Sequence, residues 1–282
     1  LPSNVLSKSF GGSGRALVML AAVAAALVAA FVVAPRVLAS AWPGRSFGNQ
    51  DDLVAGVREA FVDYWASGDS DLSPGFQAME DYWVRYHVAK AVIATLVLVT
   101  VVAFGILLGR RYVSSGDLGA GRRAVLVTAA VFATMLAVVS AAAVMANIQG
   151  AIAPFSSLLS MLPVGEPEGA LADAVDEIAL HLADGQRTPA LEKMIGDFAD
   201  YHAAMAVIAG FAGAGLLGLS ALSWALFVRV GASDRPTRHV LGWIGVFTTV
   251  ASLSLVVVAV ANAGTAADPV PALEAFFAAG GL

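Results

Sequence analysis

The sequence predicts an all-α integral membrane protein with five transmembrane helices, and three observations carry that prediction. The 282 residues are 59% hydrophobic and 13% charged, whereas a soluble domain carries about 25% charged residues. Uncharged apolar runs long enough to cross a hydrocarbon core of about 30 Å recur along the chain. Finally, the chain repeats itself. Tyr86-His87 and the apolar run after it return as Tyr201-His202 and a second apolar run, at an offset of 115 residues. The register holds without a gap from Pro74/Pro189 to Pro154/Pro269, with about twenty identities, and such a fixed-period repeat sets architecture. Among the identities are Met79/Met194, Arg123/Arg238 and Asn147/Asn262.

Residues 1–15 are polar, glycine-rich and basic, and read as a cytoplasmic leader. Residues 16–34 form the first span. Ala39-Ser40-Ala41 has the small-x-small pattern of a signal-peptidase site, but the apolar run exceeds a usual signal core of about 7–15 residues. It is therefore read as retained, with 16–50 comprising this span and the start of an outer segment.

Residues 51–156 form the first repeat. Leu53, Val57, Phe61, Tyr64 and Trp65 recur at helical spacing and share one face. A second short helix carries Phe76, Met79, Trp83 and Tyr86 on one stripe and runs into the second span. Aromatics this dense beside a span are expected in the interfacial belt. Arg110, Arg111, Arg122 and Arg123 mark a cytoplasmic loop. The third span follows, with Ala129, Ala133, Ala137 and Ala141 forming a small-residue ridge suited to helix packing.

Residues 157–282 form the second repeat. Leu171, Val175, Ile178 and Leu182 give its amphipathic helix, and Leu191, Met194, Phe198 and Tyr201 the short helix entering the fourth span. That span holds Gly210, Gly213, Gly215 and Gly218, again suited to close packing. Arg229, Arg235 and Arg238 mark a second basic loop, the fifth span returns the chain outward, and Ala272, Leu273, Phe276 and Phe277 form an interfacial turn. The two repeats enter the membrane in the same direction, which makes the tandem parallel.

Charge divides by side. The inner segments hold nine Lys/Arg against two acids, Asp117 and Asp234, and the outer segments seven against nineteen. Basic short loops stay cytoplasmic, so the N-terminus is expected inside and the C-terminus outside a bacterial plasma membrane. The acidic outer face argues against a nucleic-acid partner. The partners expected are membrane lipids and other membrane subunits or further copies of this chain. There is no cysteine, which excludes disulfides and thiolate chemistry.

His87 and His202 are the candidate cofactor ligands, since imidazole binds haem iron or other transition metals. No second ligand stands at metal-like spacing from either, and an interfacial Tyr-His anchor is the preferred reading. Trp65, Trp83, Tyr86, Phe198 and Tyr201 are the aromatic candidates for an outer interface. Lys90 lies near the end of a span, where its stem can snorkel. Asn147 and Asn262 read as helix stops ahead of Pro154 and Pro269. Span centres carry no acid, arginine or histidine, and no phosphate-loop, serine-elbow or zinc-protease motif appears. No catalytic residue, metal site or cofactor is assigned. The function expected is that of a non-catalytic structural or accessory subunit of a larger membrane complex or homo-oligomer. The alternatives are a module that transports or binds a lipid-like, quinone or cell-envelope molecule, and a haem or metal redox protein using His87 and His202.

Overall fold

A computed structural model describes residues 3–42, 46–114 and 119–278, with side chains for all of these except 3–13 and 120. Asp117 of the first basic loop lies outside them. Every regular element among the described residues is helical. The order is α1 (Ser3–Ser40), α2 (Gln50–Ser67), α3 (Pro74–Ser114), α4 (Ala120–Ile152), α5 (Pro154–Leu159), α6 (Ala170–Ala183), α7 (Pro189–Arg229), α8 (Arg235–Ala267) and α9 (Val270–Ala278). Stretches within α1, α3, α4, α7 and α8 are long and apolar enough to cross a membrane, which is consistent with a multi-pass membrane protein.

Local chemistry sets the helix ends. Asn49 caps α2 by accepting from the Asp52 amide at 2.8 Å, and Asp51 and Asp52 favour the positive end of the helix dipole. Gly68, at φ 67°, ends α2 in the left-handed region and donates back to the Trp65 carbonyl. Ser73 and Thr188 precede the prolines that open α3 and α7, and each hydroxyl accepts from an amide three residues on, Phe76 and Leu191, at 3.2 Å. α3 and α7 are each 41 residues long, and α4 and α8 each 33.

The chain divides into two compact units. The first, termed the core unit, comprises 35–89, 146–211 and 255–282. Its centre is one apolar cluster drawing Phe61 and Tyr64 from α2, Phe76 and Met79 from α3, Phe155 and Leu158 from α5, Leu171 and Ile178 from α6, Leu191 and Met194 from α7, and Leu273 from α9. Two long-range hydrogen bonds fix α2 within it. The Tyr64 hydroxyl donates to the Ala190 carbonyl at 2.8 Å, and the Trp65 indole N–H donates to Glu177 Oε2 at 2.9 Å.

The aromatic stripe expected at a bilayer interface is therefore largely interior. Trp65 is buried and half-buried Trp83 packs on the same cluster. Phe276 and Phe277, expected on an interfacial turn, are buried too. Helical periodicity identifies the apolar face of each helix, and the same face serves a membrane surface or a partner helix equally well.

The second, the span unit, comprises 1–34, 90–145 and 212–254. Ala24 of α1, Val97 and Val101 of α3 and Ala133 of α4 form a small apolar cluster on which Ala137 also packs, while Ala129 is half-buried. Lys90 Nζ lies 4.8 Å from the Phe31 ring centre, a cation–π contact between α3 and α1. Between α7 and α8 the packing is polar. Ser252 donates to the Gly213 carbonyl at 2.9 Å and Ser220 to the Gly245 carbonyl at 3.2 Å, while the Ser220 and Thr249 hydroxyls stand 2.6 Å apart. A Cβ at Gly245 would lie 2.9 Å from the Trp224 ring, which would have to shift to admit it. Of the expected glycine row, Gly213 is buried, whereas Cβ atoms at Gly210, Gly215 and Gly218 would meet nothing within 4 Å.

The leader expected before the first span is helical in the structure, because α1 begins at Ser3 and continues through Pro35 to Ser40. Arg238, expected only as a topology signal, also has a structural task. Its Nη1 donates to the Phe227 and Val230 carbonyls at 3.2 and 3.0 Å, closing the end of α7.

Candidate functional site

The core unit contains both Tyr-His pairs, and each imidazole has the same first partner. His87 Nδ1 lies 2.8 Å from Asn147 Oδ1, and His202 Nδ1 lies 2.8 Å from Asn262 Oδ1. Each pair joins a helix to the next one along the chain, α3 to α4 and α7 to α8. Between them, Gln149 Nε2 of α4 donates to the Tyr201 carbonyl of α7 at 3.0 Å. Three polar links thus tie four consecutive long helices together within one unit.

The asparagines do not stop their helices. α4 continues past Asn147 to Ile152 and α8 past Asn262 to Ala267, and no described non-glycine residue has a positive φ. The stop reading is corrected on that ground: the carboxamide serves a neighbouring helix rather than its own terminus.

The amide orientation decides the tautomer of His202. Asn262 Nδ2 donates to the Val258 carbonyl at 2.9 Å, so Oδ1 is the atom facing His202. An oxygen acceptor requires Nδ1 to carry a proton. Such an Nδ1–H to carbonyl bond is also the arrangement that orients a metal-binding histidine. Among the described residues, however, no three His, Cys, Asp or Glu side chains come together in a metal-binding group.

The two surroundings differ beyond the shared bond. Trp83 meets His87 edge-on at 4.5 Å between ring centres, stacks on Tyr86 at 5.1 Å, and donates its N–H to Ser157 Oγ at 3.0 Å. That hydroxyl stands 3.5 Å from His87 Nε2. The ring also lies against Gly150, where a Cβ would approach within 2.8 Å. Around His202, Phe198 takes the place of the tryptophan at 4.6 Å and Tyr201 lies at 5.6 Å. At the positions 115 residues beyond Ser157 and Gly150 stand Ala272 and Thr265.

Of the aromatic candidates, Trp83, Tyr86, Phe198 and Tyr201 thus gather around the histidines, and Trp65 belongs to the α2–α6 packing. Sequence reasoning noted His87, His202, Asn147 and Asn262 separately and missed their pairing, although both repeats place the asparagine 60 residues after the histidine. It also missed Gln149, Gly150 and Ser157, which have no matching residue in the second copy. No protein family, curated protein or solved structure matches this chain.

Proposed function

We propose that this is a non-catalytic multi-pass membrane protein acting as a structural or accessory subunit of a larger membrane complex, or as a homo-oligomer. The observation that carries the reading is the twin histidine–asparagine bond. The chain's best candidates for chemistry are engaged, at the same distance and the same 60-residue spacing, in joining neighbouring helices. That spacing also supports a parallel tandem repeat, as do the matched lengths of α3 with α7 and α4 with α8. The basic loops support a topology with the N-terminus inside and the C-terminus outside a bacterial plasma membrane.

The test is gentle extraction from the native membrane, followed by mass measurement, identification of co-purifying chains and an absorption spectrum. Stoichiometric partner chains or a discrete homo-oligomer, without a chromophore, are expected. A lone copy carrying haem, metal or a lipid-like ligand would overturn the reading. Because the chain has no cysteine, Ser70→Cys and Ser233→Cys test topology directly. An impermeant maleimide should label the first on intact cells and the second only after permeabilisation.

A second reading, a module for an amphipathic hydroxyl-bearing molecule, is favoured by one observation. His202 Nδ1 is engaged by Asn262, and the position matching Ser157, whose hydroxyl stands near His87 Nε2, carries Ala272. Ligand recovery that His202→Ala abolishes, and His87→Ala leaves intact, would favour it over the first.

A further inference from the structure

Within the core unit, Arg85 of α3 stands against the end of α1. Arg85 Nε donates to the Ala39 carbonyl at 3.3 Å, near the end of α1. Its Nη2 is buried and, among the described residues, has no hydrogen-bond partner. A buried cationic N–H without an acceptor carries a desolvation penalty, so it marks a place where an acceptor belongs. Capping the last turn of α1 accounts for Nε and leaves Nη2 unexplained.

The bond sets Arg85 beside the last turn of α1, where the exposed Arg36 and Ser40 flank Ala39, and Tyr82 stands one turn before Arg85 on α3. The salt bridges among the described residues lie elsewhere, at His181–Glu177 and Lys193–Asp197. No described carboxylate therefore pairs with either arginine. Two cations and two hydroxyls thus lie within about one helical turn of the Arg85–Ala39 bond.

We propose that Arg36 and Arg85, with the hydroxyls of Ser40 and Tyr82, bind the phosphate of an anionic phospholipid headgroup. Guanidinium forks match phosphate oxygens geometrically, and hydroxyl donors complete the shell. The choice of a lipid over free phosphate rests on depth. The site lies in the last turns of α1, whose apolar stretch Gly14–Ser40 is long enough to cross a membrane. Its neighbours Val37 and Leu38 are exposed apolar side chains, and Trp42 is an exposed residue of the interfacial type. Acyl chains thus have apolar surface to lie against beside the phosphate. This inference is independent of the proposed subunit role.

The experiment uses the full-length protein purified in detergent and exchanged against vesicles of phosphatidylglycerol or of phosphatidylcholine, with retained lipid counted by native mass spectrometry. Wild type should retain phosphatidylglycerol preferentially. Arg36→Gln and Arg85→Gln should each lower that retention about fivefold, the share an arginine contributes near an anionic leaflet. Arg58→Gln, which removes a guanidinium bonded to the Glu168 carbonyl, should leave it unchanged. Arg36 is exposed, so its variant keeps the fold and gives a readout even where Arg85→Gln does not fold. Unchanged retention in Arg36→Gln, or equal retention of the two lipids, would overturn the site. Displacement of phosphatidylglycerol by millimolar inorganic phosphate, with equal thermal stabilisation, would overturn the lipid source and assign a free-anion site.

Discussion

The core unit and the span unit are held together by different forces, although both are built largely from the same long helices. At the centre of the core unit, large aromatic and aliphatic side chains are wholly buried: Phe61, Leu158, Leu171 and Ile178 are each 0% exposed. In the span unit, large side chains point outward and the close contacts are made by small residues. Phe132 is 68% and Trp243 75% exposed, while Gly213, Ser220 and Ser252 are buried. In water, apolar burial drives association. In lipid that force vanishes, leaving close packing and interhelical hydrogen bonds to hold helices together. Such a contrast is what packing in water and packing in lipid would each produce.

The largest effects should come from hollowing the core unit. Phe61→Ala removes a fully buried ring and should cost about 3–5 kcal/mol, whereas Phe132→Ala in the span unit should change stability by less than about 0.5 kcal/mol. Thermal unfolding in detergent, followed by loss of the monodisperse species, would measure both. Equal destabilisation by the two substitutions would erase the contrast.

Next in size is a substitution that separates the two histidine surroundings. Gly150→Ala drives a methyl group into the His87 ring, with the added Cβ as close as 2.8 Å, and should destabilise by about 1–3 kcal/mol through overpacking. Thr265→Ala, at the matching position of the second copy, should cost little. If Gly150→Ala proved as stable as wild type, the contact between His87 and α4 would have to be looser than described.

Much of this architecture is legible in the sequence, and the rest is hidden for a physical reason. Pro74 and Pro189, each after a hydroxyl residue, open α3 and α7 through a local capping pattern that sequence reasoning used only to bound the repeat. The five apolar stretches are equally local. What covers a helix face is not local. Phe61, Tyr64 and Trp65 read alike whether they meet a bilayer or α6 and α7. The histidine site was half legible: all four residues stood out, but a bond across 60 residues is visible only when both copies are compared at once. Ser220, Thr249 and Ser252 were not singled out in the sequence, because hydroxyl–carbonyl bonds between helices leave no periodic signature.

The titration of Tyr64 sharpens the contrast from the core side. Burial pushes its phenol above the ordinary value, and the nearby Asp197 and Glu80 carboxylates raise it further. A raised value favours the neutral form in the folded state. The resulting stability is complete below the unfolded value of about 10 and is lost as pH rises toward the folded value. Tyr64→Phe should cost about 0.5–1.5 kcal/mol at neutral pH through the lost bond to the Ala190 carbonyl. It should also remove part of the alkaline destabilisation expected of wild type in melts above pH 10. An unchanged alkaline profile would mean the phenol is solvated in the folded protein.

The smallest effect tests the span unit on its own terms. Ser252→Ala removes the 2.9 Å bond to the Gly213 carbonyl and should cost about 0.6 kcal/mol, with about 1.7 kcal/mol as the upper end for such bonds in a bilayer. The penalty is small because the hydroxyl has a fallback: threonines and serines of α8 already bond back to their own helix, as Thr248 does to Ile244 at 2.7 Å. Gly213 is the better probe of the same contact. Gly213→Leu would force α7 away from α8 and break the bond indirectly, so its effect should exceed that of Ser252→Ala severalfold. If the two substitutions were equally mild, hydrogen bonding and close approach would both be minor at this contact. The two helices would then be held beside each other chiefly by elements outside the span unit.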